Sequence, residues 1–73
     1  MSAWKTNRLR VLRAERRISQ MTLAQEVGVS QATFSTWETA YFEPDDDMKR
    51  KIARALDVTV ADLVPQADGA VAP

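Results

Sequence analysis

Asp45, Asp46 and Asp47 stand side by side, and three adjacent carboxylates could in principle hold a divalent cation. The alternating ligand spacing, central Gly and distal Glu of a calcium loop are missing around them. They sit directly before a strongly amphipathic stretch, and stabilisation of that helix's positive N-terminus accounts for them without a metal. Catalysis has less to work with. The 73-residue chain has no Cys and no His, which removes disulfides, thiolate nucleophiles and the usual zinc sites. No paired carboxylates suggest an acid–base pocket, so neither an enzyme nor a cofactor is expected. What remains is hydrogen-bonding and charge chemistry. It comes as amides and hydroxyls from Ser19 to Thr36 and as a run of arginines ahead of them.

The elements that must carry these groups read as helices. Good helix formers dominate from Thr6 to Arg17, with Leu9 and Leu12 on one face and Ile18 closing the apolar run. Thr6 is the expected N-cap, and Ser2 is an alternative that would bring in Trp4. Ser19 caps a second helix of which Leu23, Ala24 and Val27 form the apolar side and Gly28 the stop. Ser30 caps a third, with Phe34 and Trp37 facing inward. Thr22 and Thr33 stand where Glu or Gln would complete a capping box. A fourth helix carries Met48, Ile52, Ala53 and Leu56 as one stripe, and Thr59 caps a short fifth with Val60, Leu63 and Val64. The expectation is an all-α bundle with helices over about 6–17, 20–27, 31–39, 46–56 and 60–64. It is one domain over 1–65 followed by a disordered tail, 66–73. Two short helices joined only through Gly28, Val29 and Ser30 make a helix-turn-helix unit.

Charge is unevenly spread. In residues 1–20, six cations (Lys5, Arg8, Arg10, Arg13, Arg16 and Arg17) face Glu15 alone, a net +5; the neutral chain therefore carries −5 over the rest. A basic front on an acidic body suits a nucleic-acid binder. No apolar run is long enough to span a membrane and the start lacks a secretory pattern, so a cytoplasmic location is expected.

The segments L-R-V-L-R-A-E-R-R-I-S-Q, L-A-Q-E-V-G-V-S-Q-A-T-F-S-T-W-E and P-D-D-D-M-K-R-K-I-A-R-A-L-D-V-T-V-A-D-L resemble the lambda-repressor/Cro-like, or Xre, family in one ungapped register from Leu9 to Val64. The resemblance implies a compact five-helix fold with helix 3 in the major groove of double-stranded DNA. It also implies a homodimer that regulates transcription, here a repressor on a palindromic operator.

Within that frame Gln31, Ala32, Ser35 and Thr36 are expected to reach base edges. Gln can bond adenine N6 and N7 together and Ala can meet a thymine methyl, so an A·T pair is expected in each half-site. Gln20, at the start of helix 2, and Thr33 are expected phosphate contacts. Arg10 and Arg17 could add charge toward phosphates or lie on a solvated face. The resemblance pairs Arg13 with Glu38 as an internal ion pair that fixes helix placement. Val58, Val60, Leu63 and Val64 either form the dimer surface or complete the core.

Several positions depart from the family. Ala40 and Asp57 stand where Gly is usual, the latter mildly because Asp tolerates the left-handed conformation. Tyr41, Phe42 and Glu43 replace basic or polar residues that contact phosphate in many relatives. An aromatic and acidic loop over 39–47 leaves open an alternative, a protein-interaction module on the same fold.

Overall fold

The computed structural model describes residues 3–64; the expected tail and the alternative cap Ser2 lie outside them. Within that span the chain forms a short 3-10 turn, Ala3–Thr6, and five α-helices. These are α1 (Leu9–Glu15), α2 (Gln20–Val27), α3 (Gln31–Glu38), α4 (Asp46–Leu56) and α5 (Val60–Leu63). No strand occurs among the described residues. None of the helices there is long and apolar enough to cross a membrane.

Local signals account for most boundaries. Ser19 and Ser30 are in extended backbone, and each hydroxyl accepts the N–H three residues on, from Thr22 and Thr33. Each Ser hydroxyl also donates to the hydroxyl of that Thr, at 2.9 and 3.1 Å, where a capping-box Glu would have reached back to the backbone. Gly28, at φ 84°, ends α2 in the left-handed conformation that costs Gly least. Asp45 caps α4 through its carboxylate, and Asp57 closes that helix at φ 60°. Thr59 and Asp62 form a reciprocal capping box on α5.

The N-terminal region departs from the expectation. Thr6 does not cap α1; its hydroxyl donates back to the carbonyl of Ala3. The helix starts three residues later, where the Asn7 side chain accepts the N–H of Leu9. At its other end Arg17 sits at φ 56°, in a turn closed by Ile18 N–H on the Arg13 carbonyl. The reason for the late start is tertiary. The 3-10 turn delivers Trp4 into the core, where its indole N–H donates to the Trp37 carbonyl at 2.8 Å. The Asn7 amide and the Ala40 N–H donate to that same oxygen, so the end of α3 is capped by the start of the chain.

The core gathers Trp4, Leu9, Leu12, Leu23, Phe34, Ile52, Leu56 and Leu63, with smaller residues between them. Phe34 and Trp37 pack edge to face, with ring centroids 5.7 Å apart. The Arg8 N–H donates to the Leu63 carbonyl at 2.8 Å, tying the first helix to the last. Leu63 is 0% exposed, so of its two expected places, dimer surface or core, it takes the core. A four-residue helix has one face to offer, and the core takes that face. Val58, Val60 and Val64 are half-buried at the edge.

Candidate nucleic-acid interface

The first residues of α2 and α3 meet. The Gln31 side-chain amide donates to the side-chain oxygen of Gln20 at 3.1 Å, so two helix N-termini lie side by side. Each contributes a positive dipole end of about half a charge. Ser19 and Ser30 satisfy the N–H groups of Thr22 and Thr33, while those of Gln20, Met21, Gln31 and Ala32 precede the first intrahelical bond. Paired helix starts of this kind favour phosphate oxygens.

Behind the two glutamines lies a continuous hydrogen-bonded chain. Gln20 donates its amide to Glu38 at 3.0 Å. Glu38 in turn accepts from Arg13 through both carboxylate oxygens, at 2.6 and 3.3 Å. The remaining guanidinium branch donates to the Ile18 carbonyl at 3.0 Å, in the connection between α1 and α2. The Glu38 side chain is only 2% exposed and that of Arg13 18%, so the pair is largely desolvated. One guanidinium thereby locks α1, the entry to α2 and the end of α3 together.

This chain of bonds also sets which way each amide faces. A carboxylate only accepts, so Gln20 must turn its NH₂ toward Glu38 and its oxygen toward Gln31. Gln31 then spends one N–H on Gln20 and keeps a second N–H and its carbonyl oxygen. One donor and one acceptor are what adenine N7 and N6 require.

The other expected contact residues are presented unequally. Gln31, Ala32 and Thr33 are exposed on the first turn of α3, whereas Ser35 and Thr36 are half-buried. The Thr36 hydroxyl donates to the Thr33 carbonyl at 2.6 Å, which leaves it an acceptor toward any base. Thr33 keeps its own hydroxyl proton, since its oxygen accepts from Ser30. Arg10 and Arg17 are exposed and have no ion-pair partner among the described residues. Arg17 lies beside the start of α2; Arg8 and Arg16 share Glu15.

The bonds of Trp4 and Asn7 to the carbonyl of Trp37 are not legible in the sequence, although Trp4 itself stands out there. A large aromatic residue in an otherwise polar leader was the available signal, because a small domain can seldom leave a Trp unused. No group of three or more carboxylates, Cys or His among the described residues could hold a metal.

Residues 8–65 match the family of Cro/C1-type helix-turn-helix DNA-binding domains. The chain belongs to that family. It is therefore a DNA-binding domain of the transcription-regulator class rather than an enzyme. Solved structures agree with the assignment. The clp gene regulator ClgR of Corynebacterium glutamicum is 28% identical with a TM-score of 0.80, over 93% of this chain and 71% of that one. The P22 c2 repressor, solved in complex with a synthetic operator, is 28% identical with a TM-score of 0.71, over 84% and 89%. The hypothetical transcription factor NHTF from Neisseria is 25% identical with a TM-score of 0.75, over 96% and 82%. No curated protein sequence matches the chain.

Proposed function

We propose that this protein is a sequence-specific repressor that binds a palindromic operator as a homodimer, with α3 in the major groove. The observation that carries the reading is the Gln31–Gln20–Glu38–Arg13 chain, which presents a pre-oriented amide at the start of α3. Gln31 and Ala32 then read an A·T pair, with Thr36 accepting and the Ser35 hydroxyl donating or accepting at the edge of the contact. Gln20, Thr33 and the open N–H groups of both helices hold phosphates, and Arg17 and Arg10 add charge. The likeness to a repressor solved on an operator supports the same mode.

Dimerisation is assigned to Val58, Val60 and Val64, without Leu63. Val58 and Val60 border a shallow hollow lined also by Arg50, Ala53, Arg54 and Asp57, and Val64 is half-buried against the core. Val60→Lys is expected to give a folded monomer with weakened operator binding, read by sedimentation.

Selection from a random DNA pool at rising salt tests the function as a whole. A palindrome containing A·T pairs, bound with an affinity that falls steeply with salt, is the expected result. Failure to enrich any sequence even at low salt would sink the proposal.

A further inference from the structure

Tyr41 and Phe42 are 76% and 60% exposed, the two most exposed large hydrophobic side chains of the described residues. They are not loose. Their rings pack edge to face with centroids 4.9 Å apart. Both backbone N–H groups donate to the Thr36 carbonyl, at 2.9 and 3.1 Å. Upstream, Ala40 is held at φ 65°, a conformation that costs any residue with a Cβ. Downstream, Pro44 is buried and Asp45 is fixed as the cap of α4. A strained, doubly anchored loop thus holds two aromatic rings in water, and rings ordered beforehand lose little entropy when a partner arrives.

The electrostatics of the patch narrow the partner. From Thr39 to Met48 the chain has four carboxylates and no cation. The nearest cations are already engaged: Lys49 pairs with Glu43 and Arg50 with Asp47. The C-terminal end of α3 brings a negative dipole end to one side of this loop, and the positive end of α4 on the other side is met by Asp45, Asp46 and Asp47. With Lys49 and Arg50 counted against the four carboxylates, residues 39–50 keep a net charge of −2 beyond Glu38 (+2 − 4), which disfavours phosphate. A guanidinium or ammonium group gains from the carboxylates and from the negative faces of the rings. The same pairing already exists beside the loop, where the Lys49 ammonium lies 5.5 Å from the centroid of the Trp4 ring.

We propose that the α3–α4 loop is a docking surface for a cationic segment of another protein, one that presents Arg or Lys between apolar residues to the Tyr41–Phe42 pair. This surface lies at the opposite end of α3 from Gln31, and its occupancy does not depend on the operator reading.

The test is an NMR titration of the full chain with three probes: an arginine–leucine peptide, the same peptide with citrulline for every Arg, and a short DNA duplex. The arginine peptide is expected to shift the Tyr41, Phe42 and Glu43 signals, and citrulline should abolish most of that response. The double substitution Tyr41→Ser/Phe42→Ser should weaken the arginine peptide at least roughly tenfold, as loss of interfacial aromatic anchors does, with an unchanged thermal midpoint. Equal binding of the citrulline peptide, or no response of the loop to the arginine peptide, overturns the proposal without recourse to any variant. It is overturned equally if the duplex shifts the loop and the double substitution weakens DNA binding, because the rings would then be a nucleic-acid contact. Salt-sensitive self-association through the same signals would make a second copy the occupant, and overturns it too.

Discussion

At its N-terminal end α3 offers neutral side chains, Gln31, Ala32 and Thr33, backed by open N–H groups and a chain of hydrogen bonds that ends on a buried ion pair. At its C-terminal end the chain leaves through two exposed rings and a row of carboxylates, with no cation before Lys49. The helix dipole has opposite sign at the two ends, and the side chains at each end reinforce it. One short helix can therefore present an anion-accepting surface and a cation-accepting surface without either compromising the other. The two ends also differ in how they are held. Gln31 is oriented by side-chain bonds that run through Gln20 and Glu38 to Arg13, whereas Tyr41 and Phe42 are held by backbone bonds to Thr36, just beyond the last turn of α3 that Trp4 and Asn7 cap.

That difference predicts unequal sensitivity to substitution. Arg13→Ala leaves the Glu38 carboxylate buried without its cation, and should cost about 3–5 kcal/mol in denaturant unfolding. Removing both exposed rings should change stability by no more than about 0.5 kcal/mol. A small effect at Arg13 would show that the network does not position α3. Next in size is Gln31→Ala, expected to cost about 1–3 kcal/mol of discrimination at one A·T pair, read by repeating the sequence selection. An unchanged preferred site would remove Gln31 from base readout.

Backbone strain gives a sharper contrast. Ala40→Gly and Arg17→Gly each relieve a positive φ and should stabilise the fold by about 1 kcal/mol in thermal unfolding. Their functional effects should diverge: Ala40→Gly should loosen the aromatic pair and weaken the arginine peptide, while Arg17→Gly should weaken DNA binding and flatten its salt dependence. The smallest effect concerns Asp62, on neither surface. Hydrogen bonds from the Thr59 backbone and side chain hold its carboxyl below the ordinary value of 3.8, helped by Arg8 and Arg16. Its contribution is present above 3.8 and is lost as pH falls through the lower folded-state value. Asp62→Asn should therefore be slightly less stable at neutral pH, and the gap from the parent should close in acid.

The helices most legible in the sequence were those whose start and stop are both local. α2 runs from Ser19 to Gly28 and α4 from Asp45 to Asp57, and in each case cap and terminator lie within a residue of the helix. The inward faces of α3 and α4 followed from spacing, because Phe34, Trp37, Ile52 and Leu56 recur at helical intervals. The start of α1 was not legible that way. Thr6 is as good a cap as Ser19 by residue type, and only the demand for Trp4 at the Trp37 carbonyl moves the start to Leu9. Leu63 was equally ambiguous, since an apolar residue on a terminal helix reads the same whether the core or a partner covers it.

Residue order by itself determined the all-α class, the tight Gly28–Ser30 turn, the inward faces of the later helices and the separation of basic front from acidic body, because caps, period and charge act over a few residues. The direction of the Gln31 amide was decided only by tertiary structure, as were the burial of Leu63 and the outward hold on Tyr41 and Phe42. Each depends on groups far apart in the chain or on backbone angles that residue types allow without requiring. Arg13 reaches Glu38 across 25 residues and Trp4 reaches Trp37 across 33, and no local preference encodes either meeting.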